Sequence, residues 1–443
     1  LSKVGAWDVV LCGDGSADDY AQQVDVQLAE KLGWPVVTAA AQVEVNGATA
    51  VIVRALEDCT ETVEVELPAV VSVTPDAAEP RIPGMKDILA AGKKPMNVAA
   101  ADASFDAKVE VVSCRAPEQA DRKLEIIDAS EDGAIERFAA ALKAALLVLA
   151  PSSVAQRKAE LIPMKALVIA ERQDAARELA AGARTMADEV VLVSFGEAPE
   201  GVADKVARIS APEGAVLDDA ADTVIAVFDA EAPSVVLVEP TRHMKTVAGK
   251  LAAHAGASVI TDVMSFEDGA KSLYFGGVAE RVQKPATDVA FYTVSAGTFA
   301  GLEASGANAV EDVAWVAPAN PVKLLASKPI EKSGVDLFKA DVVVAAGRGF
   351  AEEADLDLAR ALAEKLGGGL ACSRPLTEGV NWLPTELYVG VSGLMLSPKV
   401  YVAAGISGQM QHMVGCNRAG SMFAINKDKN APVFKQCDFG IVG

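Results

Sequence analysis

Apolar runs of strand length, each ending at glycine or a polar turn, alternate along the chain with longer stretches whose apolar residues fall three or four apart. The first series predicts a strand at Val9–Cys12, a turn at Gly13-Asp14-Gly15-Ser16 and a helix over Asp18–Leu32 buried along Val24, Leu28 and Leu32. Glu61–Leu67 alternates charged and apolar residues as a half-exposed strand does, and Ala134–Leu149 reads as an Ala/Leu-rich helix. Residues 150–163 follow neither period and read as a connector. From Met164 a second series begins, with strands at Ala166–Ala170, Glu189–Val193 and Val235–Val238 and helices near Ala220–Asp229 and Lys245–Ala255. A third places strands at Asp341–Ala346, Leu370–Cys372, Val400–Ala404 and Met422–Ile425, with a helix over Asp355–Leu366 stopped by Gly367-Gly368-Gly369.

The series predict an α/β domain over 1–149, a linker over 150–163, a second α/β domain over 164–330 and a third domain over 331–443. Strands buried on both faces read as continuous Val/Ala runs, so the fold class expected is α/β with Rossmann-like parallel sheets. In such a sheet a ligand binds at the carboxyl ends of the strands. In the third series those ends are followed by small and polar residues, which puts the candidate crevice there. Leu1 stands where a Met would open a chain, so a segment ahead of it is expected.

Composition narrows the function. Apolar residues make up 51% of the chain and aromatics 5%, which fits Ala-rich helices over Val-rich sheets. The formal charge of −21 repels phosphate backbones, so nucleic acid is excluded as a partner class. Six scattered cysteines without CxxC spacing read as free thiols in a reducing compartment, here the cytoplasm. The longest apolar runs are strand-sized, so no direct membrane insertion is expected. His243 and His254 lie in settings that suggest structural roles only.

No general nucleotide fingerprint is satisfied. Gly347-Arg348-Gly349 and Gly13-Asp14-Gly15 each lack the third glycine of GxGxxG, and no GxxxxGK[ST] occurs. Residues 372–443 nevertheless resemble the FAD domain of electron transfer flavoprotein alpha subunits. The resemblance rests on Cys372-Ser373-Arg374-Pro375, Tyr388–Gly393, Gly405–His412 and Ala424–Pro432, and continues upstream through Gly347-Arg348-Gly349 towards Met164. Residues 1–149 resemble the later part of the beta subunit, the Fix-type branch above all, in Leu11–Asp18, Tyr20-Ala21-Gln22-Gln23, Leu67–Val71 and Lys93-Lys94-Pro95.

The resemblance implies an adenine-nucleotide-hydrolase-like fold for the earlier sheets and a doubly wound FAD-binding domain at the end. Donors and cations around the electron-rich edge of a reduced flavin favour that form. By resemblance Ser392 would hydrogen-bond the flavin N5, His412 would face its C2 carbonyl and Arg374 would lie beside the ring. Arg348, Ser373, Val389, Gly390, Val391 and Asn426 would hold the rest, with the loop Ser407, Gly408, Gln409, Met410 and Gln411 presenting backbone amides. The loop Ser16, Ala17, Asp18, Asp19, Gln22 and Gln23 would take AMP, or a second FAD in the bifurcating branch. A bland alternative has Ser16 or Asp18 capping the following helix. Asp25 stands where the family usually has glycine, and Met85 falls at the apolar anchor of the partner-recognition loop.

The function implied is electron transfer from flavin-containing dehydrogenases to a membrane-associated quinone oxidoreductase, alongside the missing beta-subunit half. Two alternatives stand beside it: NADH-dependent electron bifurcation through a second FAD, and a non-redox nucleotide-binding assembly protein.

Overall fold

The structure, a computed structural model, describes residues 5–79, 81–96, 98, 106–117, 121–147, 164–330, 335–391 and 393–443. Its described residues form two compact units, one bounded as Leu1–Cys114, Ser153–Ser272 and Arg281–Ile330, the other as Arg115–Ser152, Leu273–Glu280 and Glu331–Gly443. The expected connector at 150–163 lies outside the described residues.

The first unit holds two large sheets. One runs in the order Val9–Gly13, Ala69–Val73, Val36–Asn46, Thr49–Ala55, Cys59–Glu66, Lys323–Pro329; its first three strands are parallel and the remainder antiparallel. The edge strand Lys323–Pro329 comes from far along the chain and pairs with Cys59–Glu66. The other sheet is parallel throughout, with seven strands centred on Lys165–Ala170. Its apolar side chains are buried on both faces in two separate clusters, which is why those strands read as unbroken Val/Leu/Ala runs.

The first helix departs from the sequence expectation. It spans Val24–Leu32, not Asp18–Leu32, and buries Asp25, Val26 and Ala29 while Val24 is 80% exposed. Tyr20 and Gln22 adopt positive φ, which a helix cannot contain. They hold that backbone while the Tyr20 hydroxyl and Gln22 Nε2 both donate to the Asp14 carboxylate. Ser16 therefore does not cap the helix: its hydroxyl donates to Asp19, and Gln23 stands at the N-cap without a side-chain bond.

Glu61 shows how strictly the strand period applies. It falls on the buried face with Val63 and Val65, and its cost is met by Arg54 on the neighbouring strand. Arg54 also reaches Asp218, 2.8 Å away, and Asp218 accepts or shares a proton with His243 Nδ1 at 2.7 Å. Arg54 and Asp218 are each 1% exposed at the side chain, so the cluster is an ion network sealed from water.

The second unit is a parallel sheet in the order Gly369–Cys372, Val342–Ala346, Val400–Ala404, Ser421–Asn426, Phe439–Val442, Glu125–Asp128. The helix Leu356–Lys365 connects the two strands on one side, as its glycine stop predicts. The last strand and the helix Ala134–Leu147 belong to this sheet's core, through Ile127, Phe138 and Leu142. The compact units thus group this segment with 331–443, whereas the sequence series place it in the domain 1–149. Four residues of strand carry too weak a signal to reveal the partner. Among the described residues no helix is long and apolar enough to cross a membrane.

Candidate functional site

The strand order of the second unit reverses between Val342–Ala346 and Val400–Ala404, because the chain first steps to Gly369–Cys372 and then crosses back. Loops leaving those strands diverge, and a crevice opens outside their carboxyl ends. A cavity of about 730 Å³ lies there, within the range of cofactor pockets. Its walls come from four consecutive strand ends: Arg348 and Gly349, then Ser373 and Arg374, then Gly405–Ser407 with Gln409, Gln411 and His412, then Asn426 and Asp428.

Glycine is required where these loops meet. A Cβ at Gly347 would lie 2.4 Å from the Gly405 carbonyl oxygen, and one at Gly349 would lie 2.7 Å from Gly405 Cα. The two loops are pressed backbone to backbone, which leaves the space in front of them free for a ligand. Asn426 ties the floor, its side-chain amide donating to the Ile406 carbonyl at 2.9 Å.

Two arginines face the cavity differently. Arg348 lies over the Trp382 ring, 5.6 Å from its centroid. Arg374 keeps its charge and is paired. Its Nε donates to Glu378 at 2.6 Å one helical turn on, and this contact raises the guanidinium's pKa. Glu378 also lines the cavity, so the wall carries an ion pair.

His412 is the histidine of the cavity wall and is buried. Burial pushes its pKa down to about 4, so the ring is neutral near pH 7. Nε2 lies 2.9 Å from the Tyr401 hydroxyl, while Nδ1 has no hydrogen-bond partner among the described residues. Cys372 nearby stays a thiol, pushed up to about 12 by burial.

Of the residues expected at the cofactor, Arg348, Ser373, Arg374, Val391, Ser407, Gln409, Gln411, His412 and Asn426 all line the cavity. Val389 is instead packed in the core, and Gly390 and Gly408 shape the backbone behind the wall rather than the wall itself. Met410 points away and is 61% exposed. Ser392 lies outside the described residues. Tyr388 and Ile406 fall within the matched blocks without an assigned cofactor role, and Glu378 lies outside them, because only the helical turn after Pro375 reveals that it faces Arg374. Among the described residues no cluster suited to a metal ion occurs.

The loop expected at a second nucleotide is occupied with its own contacts. Asp14 takes Tyr20, Gln22 and Arg242, and Lys245 donates to Gln22 and Asp262. Arg281 donates to Asp19 at 3.2 Å. Asp25 is buried and desolvation raises its pKa. Met85, at the expected partner anchor, is 73% exposed on the short helix Met85–Ala91, whose residues Ile88 and Leu89 are exposed as well.

Known proteins share this arrangement of sequence. Residues 336–417, which carry the first three cavity loops, match the electron transfer flavoprotein FAD-binding domain. Residues 2–104 and 166–320 match the electron transfer flavoprotein domain. The chain is 40% identical over 280 residues to the protein FixB of Salmonella typhimurium strain LT2, covering 60% of this chain and 90% of that protein. It is 39% identical to FixB of Escherichia coli O127:H6 over the same shares, and 44% identical over 219 residues to FixB of Escherichia coli O7:K1, covering 48% and 70%. A doubly wound sheet with its cavity at the reversal of strand order, and sequence matches over both units, have one common explanation: the chain belongs to the electron transfer flavoprotein family.

Proposed function

We propose that the chain carries electrons on one FAD held in the 730 Å³ cavity, accepting them from flavin-containing dehydrogenases and delivering them to a membrane-associated quinone oxidoreductase in the cytoplasm. The observation that carries this reading is the convergence of four strand-end loops on one cavity, the first three of them inside the segment that matches an FAD-binding domain. Bound there, FAD would supply the capacity to take up and release electrons.

The protein's part is binding and tuning. Arg348 and the Ser373 and Ser407 loops would hold the nucleotide end, and the pressed glycine backbones let it approach closely. Arg374 would offer positive charge to the electron-rich form, moderated by Glu378. His412, neutral near pH 7, would add no charge to the wall. We take residues 1–149 as the beta-type half and 164–443 as the alpha-type half, on the residues by which the first segment resembles a beta subunit. Met85 on its exposed apolar helix would meet the dehydrogenase.

The internal contacts of the Asp14–Gln23 loop favour a carrier with one flavin over a bifurcating form with two. Purified full-length chain, reconstituted with excess FAD, desalted and denatured, should release one FAD per chain and no AMP. A colourless protein with no retained flavin would refute the reading.

A further inference from the structure

The segment Leu273–Glu280 is part of the second unit and turns back on itself through Phe275, Gly276 and Gly277, all at positive φ, with the Gly277 N–H donating to the Tyr274 carbonyl at 3.1 Å. Glycine takes that backbone without strain. It also leaves room. A Cβ on Gly277 would lie 2.3 Å from Val414 Cγ1, and one on Gly276 would lie 2.4 Å from Val391 Cγ1, so each glycine receives a valine methyl where its own side chain is missing.

The two valines belong to two loops of the cavity. Val391 lines it, and Val414 follows the short helix Met410–Met413, whose turn brings Gln411 and His412 into the wall. These loops are fastened to each other: the Val391 N–H donates to the Gln411 carbonyl at 2.8 Å, and a Cβ at Gly415 would lie 2.5 Å from Gly390 N. A shift of either valine therefore reaches the groups that face the cavity. Val414 has little freedom to turn aside, since it is 7% exposed and β-branched side chains are stiff at χ1. Carbon atoms meet in ordinary contact at about 3.5 Å, so a methyl group added at Gly277 must drive Val414 back by about 1 Å.

We propose that Gly276 and Gly277 are positioning residues for the cavity: their bare backbone seats Val391 and Val414, and so fixes the spacing of two loops that wall the bound FAD. The effect on FAD rests on the flavin reading given above, whereas the seating of the valines does not.

In the full-length chain Gly277→Ala should weaken FAD binding on the order of tenfold in fluorescence titration, with the circular dichroism of the sheets retained. Adding Val414→Ala, which deletes the methyl group in the way, should return the affinity to within about threefold of the wild type, and adding Val391→Ala should not. Gly276→Ala should behave conversely, rescued by Val391→Ala and not by Val414→Ala. Gly301→Ala isolates backbone strain: its φ of 84° equals that of Gly277, but nothing lies within 4 Å of the added Cβ, so FAD affinity should stay unchanged. Gly277→Ala binding FAD as tightly as Gly301→Ala, or rescue that ignores the pairing, overturns the proposal. If Gly277→Ala does not fold, Val414→Ala alone empties the seat and should speed FAD release about threefold, and unchanged release overturns the proposal equally. A wild type that holds no FAD refutes the flavin reading instead. The seating is then read with ¹⁵N-histidine, a label carried by three residues of the chain: Gly277→Ala should move the His412 amide signal and the added Val414→Ala should restore it, and a signal that does not move refutes the seating.

Discussion

Raising the pH through the alkaline range should weaken the first unit by discharging His243. Burial alone would lower this histidine's pKa, but the Asp218 carboxylate at 2.7 Å outweighs it and holds the ring charged, with a pKa pushed up to about 9 from 6.5. Three charged groups act on it: Asp218 from the turn Leu217–Ala220, Arg54 from the strand Thr49–Ala55, and Glu171 beyond the strand Lys165–Ala170. Arg54 opposes the histidine's charge while Asp218 and Glu171 support it. Because the folded-state pKa lies above the unfolded one, the stabilisation is complete below pH 6.5 and disappears as the pH rises through about 9. The difference between those values, at about 1.4 kcal/mol per unit, corresponds to about 3 kcal/mol. Urea unfolding at pH 6, 8 and 10 should show the wild type losing this amount between the extremes, and His243→Gln, already weakened at pH 6, should lack that step. Direct titration of the His243 signal gives the pKa itself. A midpoint below 7, or equal pH dependence in wild type and variant, would refute the reasoning.

Other outcomes follow from the cavity and its surroundings. Arg374→Ala should lower the midpoint potential of the bound flavin and Glu378→Gln should raise it, as read by dye-coupled redox titration, since the pair shares one wall. Gly349→Val places a Cβ 2.7 Å from Gly405 Cα and should weaken FAD binding at least tenfold, about 1.4 kcal/mol, in fluorescence titration with the circular dichroism of the sheet retained. Met85→Glu should leave FAD content unchanged and abolish flavin reduction by a partner dehydrogenase in stopped-flow assay. Calorimetric titration with AMP should give no heat of binding at the Asp14–Gln23 loop, whose cations are already paired with Asp14, Asp19 and Asp262.

The chain's own text revealed the elements whose cause is local. Val342–Ala346 and Val400–Ala404 are buried on both faces and read as unbroken apolar runs, and Leu356–Lys365 ends at the glycines that stop it. Nine of the side chains assigned to the cofactor by motif do line one cavity. What stayed hidden depends on distant partners. The late start of the helix at Val24 is set by Asp14 contacts that hold Tyr20 and Gln22 at positive φ. Arg54 and Glu61 read as ordinary strand charges, because Asp218 is 164 positions from Arg54. Tyr401 reads as one more strand residue, and only the fold brings its hydroxyl to His412.

The pairing of Lys323–Pro329 with Cys59–Glu66 bears on how the chain is made. A ribosome adding about 5–20 residues per second needs on the order of 10–50 s to deliver the last strand after the first has emerged. Throughout that interval Cys59–Glu66 presents an open edge, the kind of surface on which nascent chains stick to one another. Its sequence meets the hazard: Glu64 and Glu66 alternate with Val63 and Val65 along the strand, so two such edges repel until the lysine-bearing strand arrives. Acidic residues on that edge thus guard the chain before it is finished.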